Sequence, residues 1–179
     1  MRGHPDAWIE AAFAALVEGG VRAVRVESLA RALSVTKGSF YHHFANRDAL
    51  LRAMLAGWRD LGTDAIIAQV GAREGPAARL EALIRLTLSD HGGDAIEGAV
   101  RAWAASDDLA RVIVDEVDGR RVHFVADLLE DLGLARERAL ARANVLYRVV
   151  IGDSIWRASG GPPLTELEIS TAVELFGST

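Results

Sequence analysis

The chain contains no cysteine, which removes any disulfide framework and any thiolate metal site. Proline is scarce, with four in 179 residues, so few positions interrupt a helix outright. No apolar run approaches the roughly 20 residues that a membrane-spanning helix needs, and no secretory signal opens the sequence. A soluble, cytoplasmic protein is expected. Lysine is nearly absent: Lys37 is the only one. What is present is half hydrophobic, with apolar residues recurring at intervals of three and four rather than two. That period predicts an all-α chain of about nine helices.

The net charge of −5 argues against nucleic acid when taken alone, but its distribution reverses the reading. Residues 1–60 carry 8 Lys+Arg against 6 Asp+Glu, whereas residues 61–179 carry 12 against 19. From Arg22 to Arg47 the ionised residues are Arg22, Arg25, Arg31, Lys37 and Arg47, opposed by Glu27 alone. A basic patch on an otherwise acidic chain is what contact with phosphates requires.

That patch brackets the stretch Leu33 to Leu51, LSVTKGSFYHHFANRDALL. A helix over Val26–Leu33 is predicted, then a tight turn at Ser34-Val35. Thr36 is placed to cap a second helix of barely two turns that ends near His43 or Phe44. Asn46 caps a much longer helix, with Asp48 in its first turn, where a carboxylate suits the helix dipole. A helix this short is a poor core element and a good surface to present. Backbone N–H groups at Lys37 and Gly38 face outward at its start, and Gly38, without a Cβ, permits close approach. Arg25, just before the preceding helix, is expected at a phosphate.

The run Val35-Thr36-Lys37-Gly38-Ser39-Phe40-Tyr41-His42-His43-Phe44, followed by Asn46-Arg47-Asp48 and Leu50-Leu51, resembles the helix-turn-helix of the tetracycline-repressor (TetR) family of transcription regulators. The similarity is specific from about Ile9 to Leu55. It departs from the family pattern at Ser34, where glycine is usual, at Arg47, where lysine is usual, and at Arg25, where a capping threonine is usual. If the turn needs positive φ, Ser34 costs up to ~1 kcal/mol. The resemblance implies that Thr36, Lys37 and Ser39 lie nearest bases and that Tyr41, His42, His43 and Arg47 lie nearest phosphates. Phe40 is expected in the core.

Around this stretch the chain divides into a head, 1–47, and a larger helical unit, 48–179. Helix one begins at Pro5 with the apolar stripe Ile9, Phe13, Leu16 and Val17, and stops at Gly19-Gly20. Helix four spans Asn46 to about Ala72. Gly57 and Gly62 lie inside it, each costing up to ~1 kcal/mol against Ala and so each marking a close contact or a bend. Further helices are expected over Ala77–Asp90, from Asp94 (as cap) to Ser106, from Ser106-Asp107-Asp108 to Gly133, over Ala135–Ser159, and from the capping box Thr165–Glu168 onward. Asp90, His91 and Asp94 invite a metal reading, but two glycines between them fix no ligand geometry; no metal and no cofactor are expected. His123 reads as an ordinary helix residue, and Asp153 and Ser154 as packing or dimer contacts.

The helix at Ala135–Ser159 is apolar almost all round, which means burial on more than one side. With the terminal helix beside it, this suggests a homodimer seam, and the resemblance implies the same. The expected seam residues are Val145, Val149, Gly152, Trp156, Ile169, Val173 and Phe176. The resemblance also implies an effector-binding unit, with Trp58, Leu61, Leu86, Trp103, Phe124 and Tyr147 as candidate walls; the alternative is that these side chains simply fill a core.

No nucleophile elbow, phosphate loop or metal-spaced His pair is legible, so no enzyme is expected. The reading is a ligand-responsive regulator, a repressor that binds a palindromic operator as a homodimer and is released by a small apolar effector. The alternative is a helical small-molecule-binding or enzymatic protein whose head contacts another protein; a steep salt dependence of DNA binding separates the two.

Overall fold

The computed structural model describes residues 4–89 and 93–177. Among them the chain forms nine helices, a 3₁₀ turn and no strand. We number them α1 (Pro5–Gly19), α2 (Val26–Leu33), α3 (Lys37–Tyr41), α4, α5 (Pro76–Leu88), α6 (Asp94–Ala104), α7 (Asp108–Asp131), α8 (Arg136–Ala158) and α9 (Glu166–Gly177). Helix α4 is one continuous rod in three parts: Arg47–Arg59, a π-helical turn Asp60–Asp64, and Ala65–Gly71. No described helix is long and apolar enough to cross a membrane.

Several helix ends form as the residue types dictate. The Asn46 side chain accepts from the Ala49 N–H at 2.9 Å, and Asp107 accepts from Ala110 at 2.9 Å. Thr165 and Glu168 form the expected reciprocal box, with the Thr165 N–H donating to Glu168 Oε2 at 2.7 Å. Ser34 does take the left-handed conformation, φ 57°, and the Val35 N–H closes back onto the Ala30 carbonyl at 2.9 Å. Two expected caps fail. Thr36 precedes α3 but its hydroxyl caps nothing, and Asp94 is a helical residue whose carboxylate is drawn to Arg157 instead.

Two apolar cores hold the helices together. The first joins Trp8, Ala12 and Leu16 of α1 to Leu29, Phe40, Phe44, Leu50 and Met54, then continues without interruption through Leu55 and Trp58 to Val100, Trp103 and Val114. The second gathers Val70, Leu80, Ile84, Leu88, Val125, Leu129, Ala143, Leu146 and Ile169. The inward face of α1 is therefore Trp8-Ala12-Leu16, one residue round from the expected stripe at its start. Ile9 and Phe13 are only partly buried, and Val17 is exposed. Trp8 carries much of the head: it is fully buried and meets the Phe40 ring edge-on at 5.2 Å.

Candidate functional site

The helix-turn-helix face is built by burying one residue of α3 and exposing the rest. Phe40 is fully buried and stacks at 5.4 Å against Phe44, which fixes a five-residue helix that could not persist alone. Thr36, Lys37, Gly38, Tyr41, His42 and His43 consequently lie exposed around it, with Ser39 half-buried. The Tyr41 ring leans edge-on against Phe40 at 5.2 Å yet remains 61% exposed. Lys37 Nζ pairs with Glu27 at 2.6 Å, an exposed ion pair that holds the Glu27 carboxyl below its usual range.

The two arginines expected at phosphates behave differently. Arg25 is exposed, with Nε donating to the Arg22 carbonyl at 3.1 Å. Arg47 is turned inward: Nε donates to the Val24 carbonyl at 2.6 Å and Nη2 to the Val21 carbonyl at 2.5 Å. Its guanidinium fork satisfies two carbonyls of the 3₁₀ turn Val21–Ala23 and its end, pinning the start of α4 to the head. Where a phosphate contact was expected, Arg47 ties the start of α4 to the head.

Between the two cores lies a cavity of about 1160 Å³. Its walls come from α1, α4, α5, α6, α7 and α8, and they are mostly apolar. Of the six expected wall residues, Trp58, Leu61, Phe124 and Tyr147 line it. Trp103 does not; it is buried in the first core. Leu86 does not either, and packs against the second core from the other side of α5. The sequence reading missed α1's contribution: Ile9, Phe13 and Val17, assigned to a stripe of the head, face this space.

The cavity floor is a locked polar network. Arg121 of α7 donates from Nε to Thr63 Oγ1 at 2.9 Å, from Nη2 to the Gly62 carbonyl at 3.1 Å, and from Nη1 to Glu97 at 3.1 Å. Its guanidinium also lies 5.1 Å over the Trp58 ring, whose Nε1 donates to Glu97 at 2.9 Å. Arg101 makes a bidentate pair with Asp118 at 3.0 and 2.8 Å, and Tyr147 donates its hydroxyl to Asp118 at 2.5 Å. Burial opposes the charge of both arginines, but Asp118 beside Arg101 and Glu97 beside Arg121 outweigh it and hold them protonated. Burial pushes the Tyr147 phenol up, keeping it neutral.

This network grips the π turn, where the Gly62 carbonyl accepts a hydrogen bond from Arg121. Arg120 grips the same turn through Asp64 at 2.7 Å. A Cβ on Gly62 would sit 3.2 Å from Arg121 Nη2, so glycine here admits the guanidinium; a Cβ on Gly57 would meet nothing within 4 Å. Of the close contact or bend expected at each glycine, Gly62 makes the close contact, and Gly57 lines the cavity.

A second buried cluster lies beside the cavity. The Arg157 side chain, 5% exposed, bonds Asp94 at 2.9 Å, pairs with Asp153 at 3.2 Å, and donates to the Leu88 carbonyl at 3.0 Å. Asp94 is thus committed to an arginine, and among the described residues no three His, Asp or Glu side chains converge on a metal site. Asp90 and His91 lie outside the described residues.

The expected dimer residues separate by helix. On α8, Val145, Val149, Gly152 and Trp156 recur at four, three and four residues along one outward stripe, and all are exposed, Trp156 by 59%. On α9, Ile169, Val173 and Phe176 instead turn into the second core of their own chain. The apolar residues that α9 leaves exposed are Leu167 and Leu175.

A short exposed helix held in a three-helix head, joined to an all-helical unit with a cavity between the two cores, is a helix-turn-helix architecture. Residues 9–54 match the family model described as bacterial regulatory proteins, tetR family. The chain is 26% identical over 171 residues to an HTH-type transcriptional regulator BetI of Burkholderia ambifaria, covering 92% of this chain and 87% of that one. Its fold is that of a TetR transcriptional regulator from Legionella pneumophila (TM-score 0.74, 16% identity, 94% and 92% of the two chains covered). It is also that of AibR, solved in complex with isovaleryl coenzyme A and operator DNA (TM-score 0.70, 21% identity, 99% and 97% covered). Over its head the chain matches the tetR-family model, and along most of its length it is similar to transcriptional regulators of that kind.

Proposed function

We propose that this regulator is a repressor that binds a palindromic operator as a homodimer in the cytoplasm and releases it when a small, largely apolar molecule enters the cavity. The observation that carries the reading is the composition of the cavity wall. Residues of α1 and α4, the helices that support and follow the helix-turn-helix, face the same space as residues of α5, α7 and α8. A molecule seated there bears directly on α4 at the π turn that Arg121 and Arg120 hold. Differential binding to two positions of α4 then becomes a difference in head spacing.

On this reading residues 1–47 read DNA and 48–179 bind the effector and dimerise, although the first core runs across that division. Thr36, Lys37 and Ser39 approach bases, with Lys37 exchanging Glu27 for the DNA. Arg25, Tyr41, His42 and His43 approach phosphates, and Gly38 allows close approach. The exposed α8 stripe, with Leu167 and Leu175 of α9, forms the seam between protomers, so that two heads stand one DNA turn apart, about 34–36 Å.

The test is operator capture from sheared genomic fragments, followed by binding of the recovered palindrome at two salt concentrations. Wild type is expected to bind tightly and to lose affinity steeply with salt, and Lys37→Ala combined with Tyr41→Ala to lose specific binding. Val149→Glu combined with Trp156→Glu is expected to give monomers by sedimentation and to abolish operator binding. Salt-independent binding, or a palindrome held equally well by the monomeric variant, would refute the proposal.

A further inference from the structure

The charge of the cavity lining carries a statement about what the cavity accepts. Among the described residues that line it, five are carboxylates: Asp6, Glu10 and Glu18 from α1, and Asp94 and Glu97 from α6. One is a guanidinium, Arg121. That guanidinium offers nothing to an incoming anion, because Thr63, the Gly62 carbonyl and Glu97 already take its donors.

The layer behind the lining does not restore the balance. Arg101 and Arg157 add two guanidiniums there while Asp118 and Asp153 add two carboxylates, so the interlocked set with the lining holds three guanidiniums and seven carboxylates. Burial pushes the Asp153 carboxyl up, and its protonation would still leave six carboxylates against three guanidiniums. The α1 carboxylates at the mouth then still set the sign. In a low-dielectric cleft an excess of one sign is felt by whatever enters.

The walls also suit a cation. Trp58, Phe13, Phe124 and Tyr147 contribute aromatic rings. One cation is already seated this way: the Arg121 guanidinium rests on the Trp58 ring with Glu97 at its edge.

Resting on the reading of this cavity as the effector site, we propose that the effector is a cationic amphiphile, with its apolar body between α4, α5 and α8 and its positive end among the α1 carboxylates and the aromatic rings. Anionic acyl compounds are excluded by the same charges.

The experiment uses the full chain and three probes of equal length, dodecyltrimethylammonium, dodecanol and dodecanoate, each below its micelle concentration, with affinity read by calorimetry. The ammonium is expected to bind at least tenfold more tightly than the alcohol, and the carboxylate most weakly. Glu10→Gln combined with Glu18→Gln changes two exposed side chains and is expected to reduce the ammonium preference about two- to fivefold. Carboxylate binding equal to or tighter than the ammonium would overturn the charge inference while leaving the cavity reading intact. Gly57→Phe separates the two failures, because it projects a ring into the cavity from a position with open space. It is expected to weaken all three probes. If no probe binds wild type, or if binding is unchanged in Gly57→Phe, the cavity reading falls and the inference with it.

Discussion

The two cores are built from similar residues but stand in different states of completion. The first is closed at its centre, where Trp8, Phe40, Leu50, Met54 and Leu55 are fully buried, and it reaches the cavity at its edge through Trp58, Ile9 and Phe13. The second is open on two sides. Toward the first core it faces a cavity of about 1160 Å³, and outward it presents Val145, Val149, Ile155 and Trp156 on α8. A closed core keeps a reading head rigid whatever else is bound. An open one has faces that a ligand or a second chain can complete, and only such a region can change its preferred state on binding.

The sharpest way to test that contrast is to remove one large side chain from each region. Phe40→Ala empties the closed core and is expected to cost about 3–5 kcal/mol in denaturant unfolding, with loss of DNA binding. Leu61→Ala, at a wall residue 74% exposed, is expected to change stability by less than about 0.5 kcal/mol. Equal costs would show that the cavity region is packed as tightly as the head.

Arg121→Met removes the tie between the regions. It removes the hydrogen bonds that Arg121 gives to the Gly62 carbonyl and Thr63, while Glu97 keeps Arg101 and Trp58. The expected loss is about 2–4 kcal/mol, together with an operator affinity that no longer responds to any cavity ligand. A variant that is destabilised but still responds would place the coupling elsewhere.

Asp107 caps α7, the helix that contributes to both cores. The Ala110 N–H holds its carboxyl below the usual range. The stability it contributes is therefore present at neutral pH and lost as pH falls through the carboxylate range. Asp107→Ala is expected to cost about 1 kcal/mol at neutral pH and less in acid, measured as unfolding midpoints across pH.

Two glycine exchanges give small effects and run in opposite directions chemically. Ser34→Gly relieves a left-handed residue in the head, and Gly57→Ala adds helix propensity where a Cβ meets nothing. Each is expected to add about 0.5–1 kcal/mol. Gly62→Ala, by contrast, presses on Arg121 and is expected to destabilise.

The local grammar of the chain was readable because it depends on neighbours in sequence. Asn46, Asp107 and the Thr165–Glu168 box cap the helices they precede, and Ser34 makes the turn before α3. The reading failed where a side chain answers to something far away. Thr36 caps nothing, Asp94 is taken by Arg157 63 residues on, and Arg47 reaches back to Val21 and Val24. On α1 the apolar residues surround much of the helix, so periodicity could not say that Trp8 is core while Phe13 is cavity wall. For the same reason periodicity could not say that Ile169, Val173 and Phe176 pack on their own core.

By itself, then, the sequence determined an all-helical chain, the helix-turn-helix and its basic patch, because helix period, capping and local charge are short-range properties. The cavity, the π turn held by Arg121 and the acidic lining arose only in the folded molecule. They depend on which faces of six helices, distant in the chain, are brought to one space, and no periodicity along a single helix encodes that choice.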